Sequence, residues 1–171
     1  MKNMDERGIT LIELLIVIAI IIILVVAASI TIPGLVGKYN IENQVRAFHT
    51  DLLSARARAR ERNMRHFVVV TATNYQVFED TNESGGTAPN AGDNTAPGFT
   101  NPKSFLPNYG VSAWADTIVM DTRGIVQPAL TPLGTTIRFN IGTLEPEYDC
   151  VVISQTRINI GRWNGADCAQ R

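Results

Sequence analysis

Residues 7–13 read Arg7-Gly8-Ile9-Thr10-Leu11-Ile12-Glu13, and the fifteen residues that follow, Leu14 to Ala28, are all apolar. A helix over residues 9–32 would be about 36 Å long, more than the ~30 Å hydrocarbon core of a bilayer. A carboxylate at the centre of such a segment costs roughly 2.5–3.5 kcal/mol and therefore needs a partner. The sequence predicts a membrane-spanning helix over residues 9–32, with Glu13 as a candidate contact residue.

Two other interpretations of this segment are a cleaved secretory signal and a plain membrane anchor. A secretory signal has an apolar region of 7–15 residues and a small-residue cleavage site. The apolar region here is at or beyond that limit, and Ala27-Ala28-Ser29 is the nearest approach to such a site. A plain anchor would not require Glu13, whose carboxylate would then extend to the lipid headgroups. Basic residues stand on both sides of the span, so the charge pattern does not decide its orientation.

The string Gly8-Ile9-Thr10-Leu11-Ile12-Glu13-Leu14-Leu15 resembles the prepilin cleavage motif of type IV pilins and type II secretion pseudopilins. The resemblance implies a leader over residues 1–8, cleavage between Gly8 and Ile9, and methylation of the new amino terminus. It also implies an assembly role for Glu13. Two features depart from the usual pattern: Ile9 stands where Phe is usual, and Pro33 comes a few residues late. Cleavage should still occur, because the glycine is the critical residue.

The position of Glu13 agrees with a role in assembly. Cleavage would leave a positive amino group at Ile9, about one helical turn before the Glu13 carboxylate. Either this amino group or that of a neighbouring subunit could neutralise the carboxylate. In the second case, one ion pair in an apolar helix bundle would fix how far each helix slides past the next.

A second helical pattern follows the apolar segment. Pro33-Gly34 should kink or interrupt the helix, and the membrane and amphipathic halves are expected to form one long element, roughly Thr10–Met64. Beyond it, apolar residues recur at spacings of 4, 3, 4, 3 and 4, which predicts an amphipathic helix over residues 33–65. These residues are Ile41, Val45, Phe48, Leu52, Ala55 and Ala59. Its end carries Arg56, Arg58, Arg60, Arg62 and Arg65. We interpret these arginines as a solvated face that favours the helix dipole, and binding of DNA or anionic headgroups is the alternative.

After Met64 the pattern becomes typical of strands. Strands are predicted at Phe67–Thr71, Tyr75–Glu79, Thr117–Asp121, Ile125–Gln127, Thr135–Ile141, Cys150–Ser154 and Arg157–Gly161. Thr81–Pro107, rich in Gly, Asn, Thr and Pro, is predicted to be a long exposed loop. The expected fold is α+β: a long N-terminal helix, membrane half plus amphipathic half, packed on an antiparallel β-sheet domain over residues 66–171.

Composition narrows the class of function. The net charge of −1 argues against electrostatic binding of nucleic acid by the whole chain. Cys150 and Cys168 could form a disulfide outside the cytoplasm, worth roughly 3 kcal/mol, or remain two free thiols. Two cysteines are too few for a metal site, and His49 and His66 stand far from them, so neither a metal nor another cofactor is expected. The sequence contains no nucleophile motif or phosphate loop, which favours a structural protein over an enzyme.

The order of elements over Val45–Arg162 resembles the H-type minor pseudopilins of type II secretion and the FimT and FimU minor pilins. The resemblance is carried by an Ala/Arg-rich helix end, an apolar strand, a glycine turn, a further strand and a closing pair of strands; they lie at 52–62, 67–70, 121–124, 137–139, 151–154 and 157–162. The glycine usual between the last two strands is replaced by Gln155-Thr156. The resemblance implies a minor structural subunit that primes, caps or joins a secretion pseudopilus or a type IV pilus.

The same resemblance implies the partners and the location. The partners are a prepilin peptidase that is also an N-methyltransferase, other pilins or pseudopilins, and the inner-membrane assembly platform. The chain would first span the bacterial inner membrane once, with its C-terminal domain in the periplasm, and then enter the filament.

Other functions stay open at this point. In a DNA-binding minor pilin of a competence pilus, Arg157, Arg162 and Arg171 would form a basic patch beside the cysteines, and Trp163 would stack on bases. Alternatively, Trp163 fills a gap in the core and the arginines are solvated. A major pilin is a further alternative, which the many-stranded domain argues against, and a membrane-anchored enzyme is the last.

Overall fold

The computed structural model describes residues 9–113, 116–127 and 134–170, and for residues 27–32 and Ala113 it describes only the backbone. The predicted leader over residues 1–8 and Arg171 lie outside the described residues. The chain divides into two units, Met1–Gly37 and Lys38–Arg171.

Helix α1 extends from Leu11 to Arg62. It continues through Pro33, so the expected single long element over roughly Thr10–Met64 is present and the interruption that we considered at Pro33-Gly34 does not occur. A proline removes one backbone donor from a helix, and long helical runs on both sides offset this local loss.

Helix α1 ends at Arg62, three residues before the predicted end at residue 65. The cap that ends it contains no glycine. Asn63 adopts a left-handed backbone conformation with φ 52°. The backbone N–H of Met64 then donates to the carbonyl of Ala59 over 3.2 Å. This arrangement is the Schellman motif, in which a left-handed residue turns the chain out of the helix. Because the cap reverses the chain at once, strand β1 begins only four residues after the helix ends.

Ten short strands form two antiparallel sheets among the described residues. They are β1 His66–Val70, β2 Asn74–Glu79, β3 Asn94–Thr95, β4 Lys103–Ser104, β5 Val111–Ala113, β6 Thr117–Met120, β7 Thr135–Phe139, β8 Cys150–Ile153, β9 Ile158–Trp163 and β10 Cys168–Gln170. The first sheet has the order β3-β2-β1-β6, and β4 also pairs with β2. The second sheet has the order β10-β9-β8-β7-β5.

The predicted hairpin of the first two strands is present. β1 and β2 pair in antiparallel register, with Val68 opposite Val77. The hydroxyl of Thr71 accepts the backbone N–H of Asn74 over 3.0 Å, which closes the turn between them. Alternate residues of β2 are buried, as the alternating sequence predicts.

The second half of α1 packs on both sheets through the predicted apolar stripe. Its six residues, from Ile41 to Ala59, are 0–1% exposed. The ring of Phe48 lies 4.8 Å from Tyr75 on β2 and 5.9 Å from Phe139 on β7, centroid to centroid. A single helical side chain therefore contacts both sheets. The predicted α+β fold, a helix on antiparallel β-structure, is confirmed.

Three details differ from the prediction. Residues 81–107 are not one exposed loop, because they contain β3 and β4 and bury Ala96, Phe99 and Phe105. Residues 125–127 form only an isolated bridge, between Val126 and Met120. The strands form two sheets. Two of them, β5 and β10, were not predicted, because three residues are too few to give a periodic signal.

Candidate functional site

The helix start at the predicted processing site is capped by Thr10. Its hydroxyl accepts the backbone N–H of Glu13 over 3.3 Å, and its carbonyl accepts the N–H groups of Glu13 and Leu14. A Thr in this position satisfies donors that the first helical turn leaves free. Sequence reasoning missed Thr10, although the spacing Thr-x-x-Glu over Thr10–Glu13 is the signature of such a cap.

Glu13 lies in the first turn of α1 with its side chain exposed. A carboxylate in the first turn interacts favourably with the positive end of the helix dipole. Ile9, which would become the first residue after cleavage, precedes the helix and is 76% exposed. The carboxyl side of the predicted cleavage point is thus open to an enzyme. Gly8, on its other side, lies outside the described residues.

An uninterrupted run of exposed side chains follows the cap. Every residue from Ile9 to Val26 is exposed, and nearly all of them are large and apolar. Soluble monomeric proteins rarely expose so extended an apolar surface, so this segment is suited to lipid or to other subunits. Measured on the described residues, none of the helices combines the length and apolarity that a membrane crossing needs.

Of the residues proposed for a DNA patch, the structure describes Arg157, Arg162 and Trp163, and it places Arg157 apart from the other two. Arg157 precedes β9, whereas Arg162 and Trp163 are at its far end, about 16 Å away along an extended strand. The guanidinium of Arg162 lies 3.4 Å from the carboxylate of Glu145. Arg138 covers one face of the Trp163 ring at 4.1 Å. This contact between β7 and β9 had no signal in the sequence, and it occupies one face on which a base would stack.

The sulfur atoms of Cys150 and Cys168 are bonded, with their Cα atoms 6.1 Å apart. The bond joins β8 to β10, across the strand β9 that lies between them. It therefore holds the edge of the second sheet at the C-terminal end of the chain.

Asp149 directly precedes Cys150 and supports the same edge. Its carboxylate accepts the backbone N–H of Trp163 over 2.6 Å. Burial raises the pKa of Asp149, although this hydrogen bond and the nearby Arg138 and Arg162 oppose the shift. The carboxylate therefore serves as a backbone acceptor between β8 and β9.

A groove of about 500 Å³ lies beside the second half of α1, lined by residues such as Asn43, Asp51, Tyr75 and Lys103. The carboxylate of Asp51 accepts a hydrogen bond from the Tyr75 hydroxyl and another, 2.7 Å long, from the Lys103 ammonium. Burial, together with the Asp51 carboxylate, raises the pKa of Tyr75 far above its usual range. The hydroxyl therefore stays protonated, and these three groups stabilise one another rather than supplying a base or nucleophile.

Potential metal ligands are dispersed. Within residues 9–113, 116–127 and 134–170, no three His, Cys, Asp or Glu side chains are grouped so that they could hold a metal ion. His49 instead contacts the carbonyl of Ile158 through Nε2 at 2.9 Å.

Comparison with known families points to the amino-terminal segment. Residues 3–29 match the family model described as the prokaryotic N-terminal methylation motif. The match includes Gly8, Ile9 and Glu13. The motif indicates a type IV pilin-like protein and implies processing by a prepilin peptidase and assembly with other pilins. It suggests a structural subunit rather than an enzyme. No curated protein and no solved structure matches the chain.

Proposed function

We propose that this chain is a minor subunit of a type II secretion pseudopilus or a type IV pilus, of the H-type or FimT/FimU kind. After cleavage between Gly8 and Ile9, it would prime, cap or join the filament. The observation that carries this proposal is the methylation motif over residues 3–29, which places Glu13 four residues after the new amino terminus.

The geometry of the amino-terminal segment supports assembly. Thr10 fixes the start of α1, so the Ile9 amino group and the Glu13 carboxylate would be held near one end of the helix. The exposed apolar residues from Ile9 to Val26 provide a surface that neighbouring helices can cover. An ion pair at the end of such a surface would set the register between neighbouring subunits.

The disulfide supports a location for the globular domain outside the cytoplasm. Disulfides persist in oxidising compartments such as the bacterial periplasm and are rare in the cytosol. The bonded pair Cys150 and Cys168 therefore fits a periplasmic domain. In this proposal residues 9–32 anchor the subunit in the inner membrane until the assembly platform transfers it to the filament.

A minor role is favoured over a major one by the size of the β-rich unit. Ten strands in two sheets follow α1 among the described residues. A domain with this many strands argues against a small major shaft subunit.

Cleavage tests the proposal directly. The full chain is produced in membranes together with a prepilin peptidase, and the mass of the product and its first residues are determined. We expect loss of residues 1–8, an amino terminus at Ile9 and methylation of that terminus. Gly8→Ala should retain the leader.

Gly34→Ala is the matched control, because a β-carbon at position 34 meets nothing within 4 Å. It should be processed like the unchanged chain. Normal processing of Gly8→Ala, or an unprocessed wild-type chain in the presence of active peptidase, would overturn the proposal.

A further inference from the structure

The loop that connects β2 to β3 contains an acceptor sequence for an N-linked glycan. It reads Asp80-Thr81-Asn82-Glu83-Ser84 and begins directly after Glu79, the last residue of β2. The pattern Asn-x-Ser/Thr, in which x is not proline, marks an asparagine that can be glycosylated in a secreted protein. Asp80 adds the acidic residue that bacterial oligosaccharyltransferases select two positions before the asparagine. Every other asparagine of the chain lacks Ser or Thr two residues later.

The residues of this motif lie at the surface, as a glycan acceptor must. Asn82, Glu83 and Ser84 are all exposed. Glu83, between the two residues that the motif specifies, has a left-handed backbone conformation with φ 50°, so the chain turns sharply at this point. A glycan is bulky and is accommodated only where the chain faces solvent. The β2–β3 loop meets this requirement.

Hydrogen bonds fold the motif so that its asparagine and its serine face the same neighbour. The backbone N–H of Ser84 donates to Oδ1 of Asn82 over 3.0 Å and to Oδ1 of Asp80 over 3.1 Å. Asn90 contacts both side chains of the motif. Its Oδ1 accepts from Nδ2 of Asn82 over 2.7 Å, and its Nδ2 donates to Oγ of Ser84 over 2.6 Å. One amide group reaches both atoms, so both lie on the same side of the loop.

The contacts with Asn90 leave this pair of atoms within reach of an enzyme. Asn90 is itself exposed, and hydrogen bonds between exposed side chains exchange readily for bonds to water. Nδ2 of Asn82 also carries two hydrogens, of which the bond to Asn90 uses one. A transferase can therefore take the place of Asn90 at both atoms without disturbing a strand of either sheet.

We propose that Asn82 is an acceptor site for an N-linked glycan. The donor is a glycan joined through pyrophosphate to a polyprenyl lipid, and a membrane-bound oligosaccharyltransferase brings it to the loop. Nδ2 of Asn82 forms a bond to C1 of the first sugar while the bond from C1 to the pyrophosphate oxygen breaks. That oxygen keeps the electron pair, and Nδ2 loses one proton. In the cell this step rests on the proposed function, because the donor and the enzyme act outside the cytoplasm.

Glycan transfer to the purified full chain tests the site independently of its location in the cell. The chain in detergent is incubated with a purified bacterial oligosaccharyltransferase and a lipid-linked glycan of known mass. Mass spectrometry then determines the mass of the chain and the modified residue. We expect one glycan, attached to Asn82. A synthetic peptide of residues 78–86 shows whether the enzyme accepts the motif without the fold. An unmodified chain would overturn the proposal, whether or not the peptide is modified.

Variants of the motif show whether the transfer depends on the expected atoms. Asn82→Gln and Ser84→Ala should each lower the yield of glycosylated chain at least tenfold, whereas Ser84→Thr keeps the hydroxyl and should retain it. Asn94→Gln is the matched control, because Asn94 is an exposed asparagine near the same loop that lacks Ser or Thr two residues later. Its yield should equal that of the unchanged chain. Equal yields from Asn82→Gln and the unchanged chain would contradict the proposal.

Production in cells that contain the transferase and its donor separates this proposal from the proposed function. Removal of residues 1–8 reports the function, and the mass added at Asn82 reports the glycan. A cleaved chain with an unmodified Asn82 would overturn the glycan site alone. A chain that is glycosylated at Asn82 but keeps its leader would support the site and contradict only the role in a filament.

Discussion

Cys168 lies so close to Gly161 that a β-carbon at position 161 would be 3.0 Å from its sulfur atom. Gly161 is on β9, between the two strands that the disulfide connects, and it is the register partner of Cys150. Strands that flank a common neighbour are normally about 9–10 Å apart. The Cα atoms of Cys150 and Cys168 are 6.1 Å apart, so β10 folds over β9 towards β8. The missing side chain at position 161 leaves room for this close approach.

Gly161→Ala should therefore destabilise the second sheet. The added carbon would be 2.3 Å from the carbonyl oxygen of Ala169, a backbone atom that cannot turn aside as a side chain would. We expect the free energy of unfolding to fall by about 3 kcal/mol, the upper part of the range for overpacked sites. Urea denaturation of the full chain in detergent, followed by circular dichroism, measures the change.

Gly134→Ala is the matched control, because it has φ 75° and nothing within 4 Å of the added carbon. It should cost only the backbone strain of a left-handed residue, about 1–2 kcal/mol. Equal losses in the two variants would show that the close approach of Cys168 to Gly161 is unimportant.

Reduction of the disulfide should lower stability without unfolding the chain. The bond closes a loop with a sequence separation of 18, for which the loop-entropy model gives roughly 3 kcal/mol. A thermal unfolding midpoint measured with and without reductant should therefore fall by several degrees. The double variant Cys150→Ser/Cys168→Ser should show no response to reductant, and a response in that variant would assign the effect to something other than this bond.

The turn after β6 should make stability depend on pH in the acid range. The carboxylate of Asp121 accepts the backbone N–H groups of Arg123 and Ile125 over 2.9 and 2.7 Å, and it pairs with the Arg123 guanidinium. Burial acts to raise the pKa of Asp121, but these hydrogen bonds outweigh it and lower the pKa below its usual 3.8. The stabilisation is thus present above about pH 4 and is lost as the pH falls through the lowered value.

Asp121→Asn should remove this contribution. We expect a loss of about 1 kcal/mol at pH 7, the typical worth of a hydrogen bond, and a smaller difference from the unchanged chain at pH 3. Urea titrations at both pH values provide the measurement. Arg123→Ala should lose only a small part of the same contribution, because it removes the ion pair of a side chain that is 75% exposed and leaves both backbone N–H donors in place. A constant difference between pH 7 and pH 3 would contradict the assignment.

The parts of the fold that repeat regularly could be predicted from the sequence. The stripe from Ile41 to Ala59 follows the helical period, and every member is buried. The β1–β2 hairpin follows the alternation of apolar residues around a polar turn. In both cases a local pattern repeats over several residues, so the buried face can be read without knowledge of the partner.

Features that depend on distant partners could not be predicted. Phe105 is buried against Phe48 and Phe139, yet it stands in a Gly- and Asn-rich segment with no period. β3 and β4 have two residues each and exist because β2 offers them an edge. The position of the Arg138 guanidinium over the Trp163 ring depends on the register of β7, β8 and β9. In the candidate site, the cap formed by Thr10 could have been predicted from the Thr-x-x-Glu spacing, but it was overlooked.

The position of Glu13 leads to a test that separates helix capping from assembly. Glu13→Gln keeps a residue suited to the third position of a capped helix but removes the charge. Glu13→Val removes both. If the carboxylate pairs with the amino group of a neighbouring subunit, each variant leaves that amino group unpaired in an apolar bundle, at a cost of about 3–5 kcal/mol.

Both variants should then be cleaved normally but enter sheared filaments at least tenfold less than the unchanged chain, as measured by immunoblotting. Thr10→Ala, which weakens only the cap, should be incorporated much more readily than either. Incorporation of Glu13→Gln at the wild-type level would show that Glu13 acts through the helix start and not through an ion pair between subunits.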